Sequence, residues 1–284
     1  MIPDRIRSVI ELKLDDEIIS SKTQSGGDIN NASIIKLSDG ESLFLKWNSS
    51  APDHMFETES KGLKILSDAN TDLVIPEVVE VGKNFLLLSL LIPGSGNSGS
   101  AYGFGTELAK LHQHSFETFG LNHDNFIGKL PQRNHQRQNW ADFFVSERIE
   151  PQIKVGIQTG KFESDLIPIV DVLHKTVQDL FPNEQPALLH GDLWSGNYMF
   201  TKSGAASIYD PAVYYGHREM DIAMTRLFGG FSSDFYEGYN SEYALADGFE
   251  DRIEVCNLYP VLVHANLFGG GYVRRANEIL RQYS

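Results

Sequence analysis

The residues best suited to chemistry form one string, His190-Gly191-Asp192-Leu193-Trp194-Ser195-Gly196-Asn197, with Asp210 thirteen positions after Asn197. Short apolar runs flank the string, Ala187 to Leu189 before it and Tyr198 to Phe200 after it, so it reads as a loop between strands. The spacing H-x-D-L-x-x-x-N followed by a later Asp suits phosphoryl transfer to an alcohol. Asp192 can reach an acceptor hydroxyl and take its proton. Asn197, five residues on, turns back toward a divalent ion, and Asp210 on a neighbouring strand completes an oxygen donor set. Hard oxygen donors suit Mg2+, which keeps some of its waters and bridges phosphate oxygens. Without Asp210 in register, the string also fits a plain turn, or Asp and Asn capping helices. Ser195 lacks the G-x-S-x-G context of a nucleophile elbow.

A second pair is Lys46, on a strand read over Ser42 to Trp47, and Glu59, on a helix read over 55–67. Glu59 shares a helix face with Phe56, Leu63 and Leu66. A carboxylate on an apolar face needs a partner once that face is buried, and Lys46 is the candidate. In kinases such a lysine meets the nucleotide phosphates. The plainer reading is two unrelated surface charges, and the rival carboxylate Glu57 lies off that face. Gly26 and Gly27, within Ser25 to Asn30, let backbone N–H groups approach phosphates closely. That string is neither a Walker A nor a G-x-G-x-x-G, and alone it reads as an ordinary turn. Its weight comes from preceding the hairpin that carries Lys46. Ser89, Leu90 and Leu91 end an apolar run and could offer backbone groups to an adenine edge; a plain core strand fits equally well. His112 and His114 lack a third ligand at zinc spacing. His190 is expected to brace its own loop, and Glu219 and Asp221 to support that loop through buried hydrogen bonds. Cys256 reads as a packed small side chain.

These groups need a scaffold. Residues 4–20 read as a helix, and a Ser-Asp-Gly turn at 38–40 joins two strand-length runs into a hairpin. Two more strands are read over 74–81 and 84–92, joined at Gly82. The polar, glycine-rich stretch 93–100 is the clearest linker. Beyond residue 103 helical periodicity dominates, with Phe104, Leu108 and Leu111 on one face and glycine breaks at 229–230 and 269–271. The expected class is α+β and bilobal, with a small β-rich nucleotide-binding lobe over 1–92 and a larger, mainly helical catalytic and substrate lobe over 93–284.

Composition limits the partners. With 284 residues, 41% of them apolar, the chain can bury a sizeable core and is not disordered, collagenous or coiled-coil. One cysteine excludes an internal disulfide and fits a reducing cytosol, so a cytoplasmic location is expected. No run of eighteen apolar residues would span a membrane, and residues 1–16 lack an apolar signal-peptide core. A net charge of −14 disfavours nucleic acid and anionic lipid, so a bound polyanion needs local donors or a cation.

At this point the chain resembles the fructosamine kinase / ketosamine-3-kinase family, a branch of the protein-kinase-like fold related to aminoglycoside phosphotransferases. The resemblance spans nearly the whole chain. It rests on Phe119-Gly120-Leu121 with Asp124-Asn125-Phe126-Ile127-Gly128, and on Pro131-Gln132, Trp140, Phe143-Phe144, Glu147-Arg148-Ile149 and Pro151-Gln152. It continues through His190 to Asn197, Asp210-Pro211-Ala212, Tyr215-Gly216, Arg218-Glu219, Asp221 to Met224 and Leu267 to Gly270. The resemblance implies ATP- and Mg2+-dependent phosphorylation of a ketosamine at its 3-hydroxyl. The substrates would be fructosamines or ribulosamines, free or on glycated protein amines. The 3-phosphate then eliminates and restores the amine. Asp192 would be the base, Asn197 and Asp210 the metal ligands, and Trp194 a stacking surface for the sugar–amine. Asp28 stands where several relatives carry a redox-sensitive cysteine. Another small-molecule kinase on the same fold, acting on an aminoglycoside, choline or homoserine, remains the main alternative. A non-catalytic pseudokinase is disfavoured because all five polar groups are present.

Overall fold

A computed structural model describes residues 2–24 and 29–283. Its N-terminal part is a five-stranded antiparallel sheet of β1 (Ile18–Gln24), β2 (Asn31–Leu37), β3 (Ser42–Trp47), β4 (Val78–Gly82) and β5 (Phe85–Ser89), in the order β1-β2-β3-β5-β4. Side chains alternate across a strand, so β5 reports how the sheet is covered. Phe85 and Leu87 cluster with Leu43, Leu45 and with Ile6 and Ile10 of helix α1 (Asp4–Leu14). Leu86 and Leu88 cluster instead with Phe56 and Leu63 of helix α2 (Met55–Asp68). A strand covered on both faces reads as an unbroken apolar run, which is what residues 85–88 are. Lys46 has the parity of Phe44, so it rises from β3 on the α2 face.

The first helix is shorter than its sequence pattern predicts. Asp15 takes the left-handed conformation (φ 52°) and its N–H bonds Glu11 O, which ends α1 at Leu14. The β-branched and serine residues Ile18-Ile19-Ser20-Ser21 then go extended into β1. The linker-like stretch is also partly helical. Asn97 Oδ1 accepts from Ser100 N–H at 3.0 Å, capping helix α3 (Ser98–Gln113).

The larger part is mainly helical. A small hairpin, β6 (Asn125–Ile127) with β7 (Leu130–Gln132), precedes α4 (Trp140–Phe143), which passes through a π-helical turn into α5 (Glu150–Gln158) and then α6 (Ile169–Leu180). Strands β8 (Ala187–Leu189), β9 (Tyr198–Phe200), β10 (Ala206–Ile208) and β11 (Tyr214–Gly216) follow, then α7 (Glu219–Leu227), α8 (Ser233–Glu242), α9 (Phe249–Phe268) and α10 (Gly271–Gln282). β8 pairs with β11 and β9 with β10, both antiparallel. These two ribbons set side by side the loop leaving β8 and the segment leaving β10. The sheet lobe is fastened here, where Val74 bridges Ser207 and Pro93 bridges Thr201. One apolar core, including Leu108, Phe143, Leu193, Ile222 and Leu262, runs through the helical part. Among the described residues no helix is long and apolar enough to cross a membrane.

Candidate active site

The loop after β8 is held by its backbone. His190 N–H and Gly191 N–H donate to the buried Asp221 carboxylate at 2.7 and 2.9 Å. His112 Nε2 lies 3.3 Å from the same carboxylate, and His112 Nδ1 lies 2.8 Å from the Tyr239 hydroxyl. Gly191 has φ 82°, and a Cβ there would fall 2.1 Å from Ala212 O, so no other residue fits without displacing the segment that follows Asp210. The His190 ring is buried. Its Nε2 donates to Tyr209 O at 2.9 Å and its Nδ1 accepts from Asp192 N–H at 3.2 Å, the pattern of a neutral imidazole. Burial lowers its pKa accordingly. Asn197 Nδ2 donates to Asp192 O at 2.9 Å and Oδ2 at 3.1 Å. Burial, followed by the Asp210 charge, pushes the Asp192 carboxyl up to about 7.

Three more groups meet across the lobes. Lys46 Nζ lies 2.7 Å from Glu59 Oε1 and 2.5 Å from Asp210 Oδ1. Burial disfavours the ammonium, but the two carboxylates outweigh it and hold the Lys46 pKa above the ordinary lysine value. Glu57 turns outward to Lys61 and His54, at 2.7 and 2.9 Å. Asp210 adopts φ 57°, the left-handed region. Tyr209 N–H donates to Asn197 O at 3.1 Å, so Asn197 and Asp210 project from paired backbone.

The donor chemistry fits a magnesium ion. Asn197 spends its NH2 on Asp192, which leaves Oδ1 as its donor toward a cation. The Asp210 side chain is 42% exposed, and only its Oδ1 is bound to Lys46. Around Lys46 two carboxylates face one ammonium, and burial pushes the Glu59 carboxyl up to about 7; a hard cation at Asp210 would favour the ionised form of both acids.

A small cavity adjoins Asp192, lined by Ile127, Tyr214, Met220, Met224, Tyr259 and His264 among others. Aromatic rings continue outward from it. Phe228 meets Trp194 edge-on at 6.0 Å and lies 4.8 Å from His264, which lies 5.0 Å from Tyr272. Residue types alone did not single out Phe228, His264 or Tyr272, because they come from three separate helical segments. Ser89 ends β5, with its Oγ accepting Glu77 N–H at 2.9 Å, and Leu90 and Leu91 follow on the chain toward Pro93. Gly26 and Gly27 lie outside the described residues. Of the two acids expected to support the loop, Asp221 contacts it. Glu219 instead forms a buried bidentate pair with Arg252, both contacts at 2.6 Å, because its side chain leaves the first turn of α7 toward α9. Cys256 is buried.

The chain as a whole is similar to known proteins. The fructosamine kinase family model matches residues 2–284. A probable ketoamine kinase of Vibrio parahaemolyticus is 40% identical over 259 residues, covering 89% of this chain and 88% of that protein. Another, from Synechocystis, is 39% identical, covering 92% and 89%. A crystal structure of a Haemophilus somnus protein assigned as a fructosamine-3-kinase superposes with TM-score 0.87 at 28% identity, covering 98% of this chain and 96% of that one. An aminoglycoside phosphotransferase solved with streptomycin and ATP gives TM-score 0.66 at 13% identity, covering 99% and 97%, which shows the shared protein-kinase-like fold. The antiparallel sheet over a helical lobe and the match along its whole length make this chain a kinase, a member of the fructosamine kinase family.

Proposed function

We propose that this kinase transfers the γ-phosphoryl group of ATP to the 3-hydroxyl of a ketosamine, a fructosamine or ribulosamine, and so starts removal of the sugar from its amine. The observation that carries the reading is two sets of contacts brought together by the Tyr209–Asn197 backbone bond. Glu59 and Asp210 share Lys46, Asn197 holds Asp192, and Asp192 lies at the cavity beside the aromatic rings. Phosphoryl transfer asks chiefly for positioning and charge neutralisation. Lys46, fixed by Glu59, contacts the α- and β-phosphates once the nucleotide competes for its ammonium. Gly26 and Gly27 shape the phosphate loop, and Ser89, Leu90 and Leu91 line the adenine with backbone groups. Asn197 and Asp210 hold Mg2+, which when bound neutralises charge on the phosphate oxygens. Asp192 accepts the proton of the attacking hydroxyl, and its hydrogen bond from Asn197 aims the carboxylate. Trp194 stacks against the sugar–amine. Free glycated amines and glycated protein amines share the reacting end that this arrangement addresses.

The test is ATP consumption with ribuloselysine, fructoselysine and unrelated alcohols, with the product phosphate located by NMR. Phosphate on O3, followed by release of the amine, is the expected result. Preferred turnover of an aminoglycoside, choline or homoserine would instead assign the site to another acceptor. Asp192→Asn should lower kcat by about 10²- to 10⁴-fold. Near-normal turnover in a clean preparation would remove Asp192 from the role of base.

A further inference from the structure

A buried polar chain grips the segment that follows Asp210. Ala212 O accepts from Gln132 Nε2 at 3.0 Å, and Val213 O from Asn125 Nδ2 at 2.9 Å. Gln132 Nε2 and Asn134 Nδ2 both donate to Asn125 Oδ1, at 2.8 and 2.9 Å. Tyr259 OH donates to Gln132 Oε1 at 2.8 Å. Arg148 closes the chain, with its NH2 group 2.7 Å from Asn134 Oδ1 and its guanidinium 4.0 Å from the Tyr214 ring centre. Gln132 and Asn134 are each 1% exposed. Burying this many polar groups costs free energy that apolar packing of the same volume would not. What the chain supplies in return is geometry, because it fixes two consecutive carbonyls. From the other side, Ala212 N–H donates to His190 O at 2.9 Å. Asp210 stands just before these fixed points in a left-handed conformation. Such a conformation costs a non-glycine residue about 1 kcal/mol or more and persists where the surroundings over-determine it.

We propose that Gln132 is a positioning residue for Asp210. By holding Ala212 O it keeps the Asp210 carboxylate turned to the cleft, and so it sets affinity for the metal–nucleotide complex rather than for the acceptor. This rests on Asp210 holding the metal, as proposed above. The role belongs to the β6–β7 hairpin, which joins neither the phosphate loop nor the 190–197 loop in sequence.

Gln132→Met keeps the side-chain volume and removes the amide. Binding of ADP with Mn2+, and of ADP alone, is measured by calorimetry on the full chain, with electron paramagnetic resonance counting bound Mn2+. Mn2+·ADP should bind about tenfold more weakly in the variant. ADP alone should change by no more than about twofold, and the acceptor KM should hold within the same limit. A folded Gln132→Met protein that binds Mn2+·ADP like the wild type, while Asp210→Ala does not, overturns the role of Gln132 and leaves the site reading intact. Equal weakening of ADP with and without metal also overturns it, because that marks general loosening. Asp210→Ala binding Mn2+·ADP like the wild type overturns the site reading and this inference together. If Gln132→Met does not fold, Tyr259→Phe, which deletes a single hydrogen bond to Gln132, is read through the two ADP titrations alone, because Tyr259 also lines the cavity at Asp192; about threefold weakening of Mn2+·ADP is expected, with ADP alone unchanged.

Discussion

At the scale of single residues, Trp194 and Gly196 act as one unit. The indole lies over the Gly196 backbone, where a Cβ would fall 2.3 Å from a ring carbon. Nothing larger than a hydrogen fits beneath that ring, and the Phe228 edge limits its escape. Gly196→Ala should therefore move the indole without removing it. If the indole is a wall of the acceptor site, the acceptor KM should rise about fivefold, roughly the 1 kcal/mol of an aromatic contact. The ATP KM should stay unchanged. Steady-state kinetics with each substrate varied in turn decides the matter, and an unchanged acceptor KM would take Trp194 out of the acceptor site.

At the scale of elements, α2 is seated by a glycine. Gly62 lies inside the helix, where glycine costs up to about 1 kcal/mol relative to alanine. Its reason is the segment after Asp210: a Cβ would lie 3.3 Å from Val213 Cγ2 and 3.5 Å from Pro211 Cγ. The helix that carries Glu59 thus rests directly on the chain that carries Asp210, and both carboxylates reach Lys46 from that joint. Gly62→Val should overpack the joint, costing about 1–3 kcal/mol in stability. It should also raise the ATP KM, because α2 must move away from the 211–213 segment to make room and takes Glu59 with it. A lower urea midpoint with an unchanged ATP KM would show that the seating of α2 and the Lys46–Glu59 pair are independent.

At the scale of the whole molecule, the −14 charge leaves stability open to pH. His217 is buried against Trp140 and Phe181, at 5.8 and 5.1 Å between ring centres. Burial lowers its pKa, although the carboxylates of Glu219 and Glu184 oppose that and the Arg218 guanidinium reinforces it. The unfolded chain therefore binds a proton that the folded chain refuses. The contribution of His217 is complete above about pH 6.5, the unfolded value, and is lost as pH falls below it toward the folded pKa. The slope approaches about 1.4 kcal/mol per pH unit for one such histidine. Urea midpoints at pH 7.5 and 5.5 should fall more in the wild type than in His217→Gln. Equal slopes would mean that His217 is not buried neutral.

The 190–197 loop was legible in the sequence because its chemistry is contiguous, and a short loop between two strands has few ways to point its side chains. The Lys46–Glu59 pair was legible through periodicity, since strand parity and helix face each have one buried solution. The end of α1 was not legible, because a continuing apolar rhythm hides a left-handed Asp15 followed by residues that prefer a strand. Two further contacts were hidden for another reason. Lys46 meets Asp210 across 164 positions, and Gln132 reaches Ala212 across 80. Periodicity and motif spacing record which face of an element is buried and which residues a loop presents, so the class of chemistry and the broad order, a β-rich part before a mainly helical one, follow from residue pattern, whereas β1 and the β6–β7 hairpin do not. Which distant side chains complete one another depends on how ribbons and helices pack. Of the two acids that the sequence offers as supports for the loop, packing keeps Asp221 there and turns Glu219 to Arg252, and packing alone sets a hairpin remote in the chain behind Asp210.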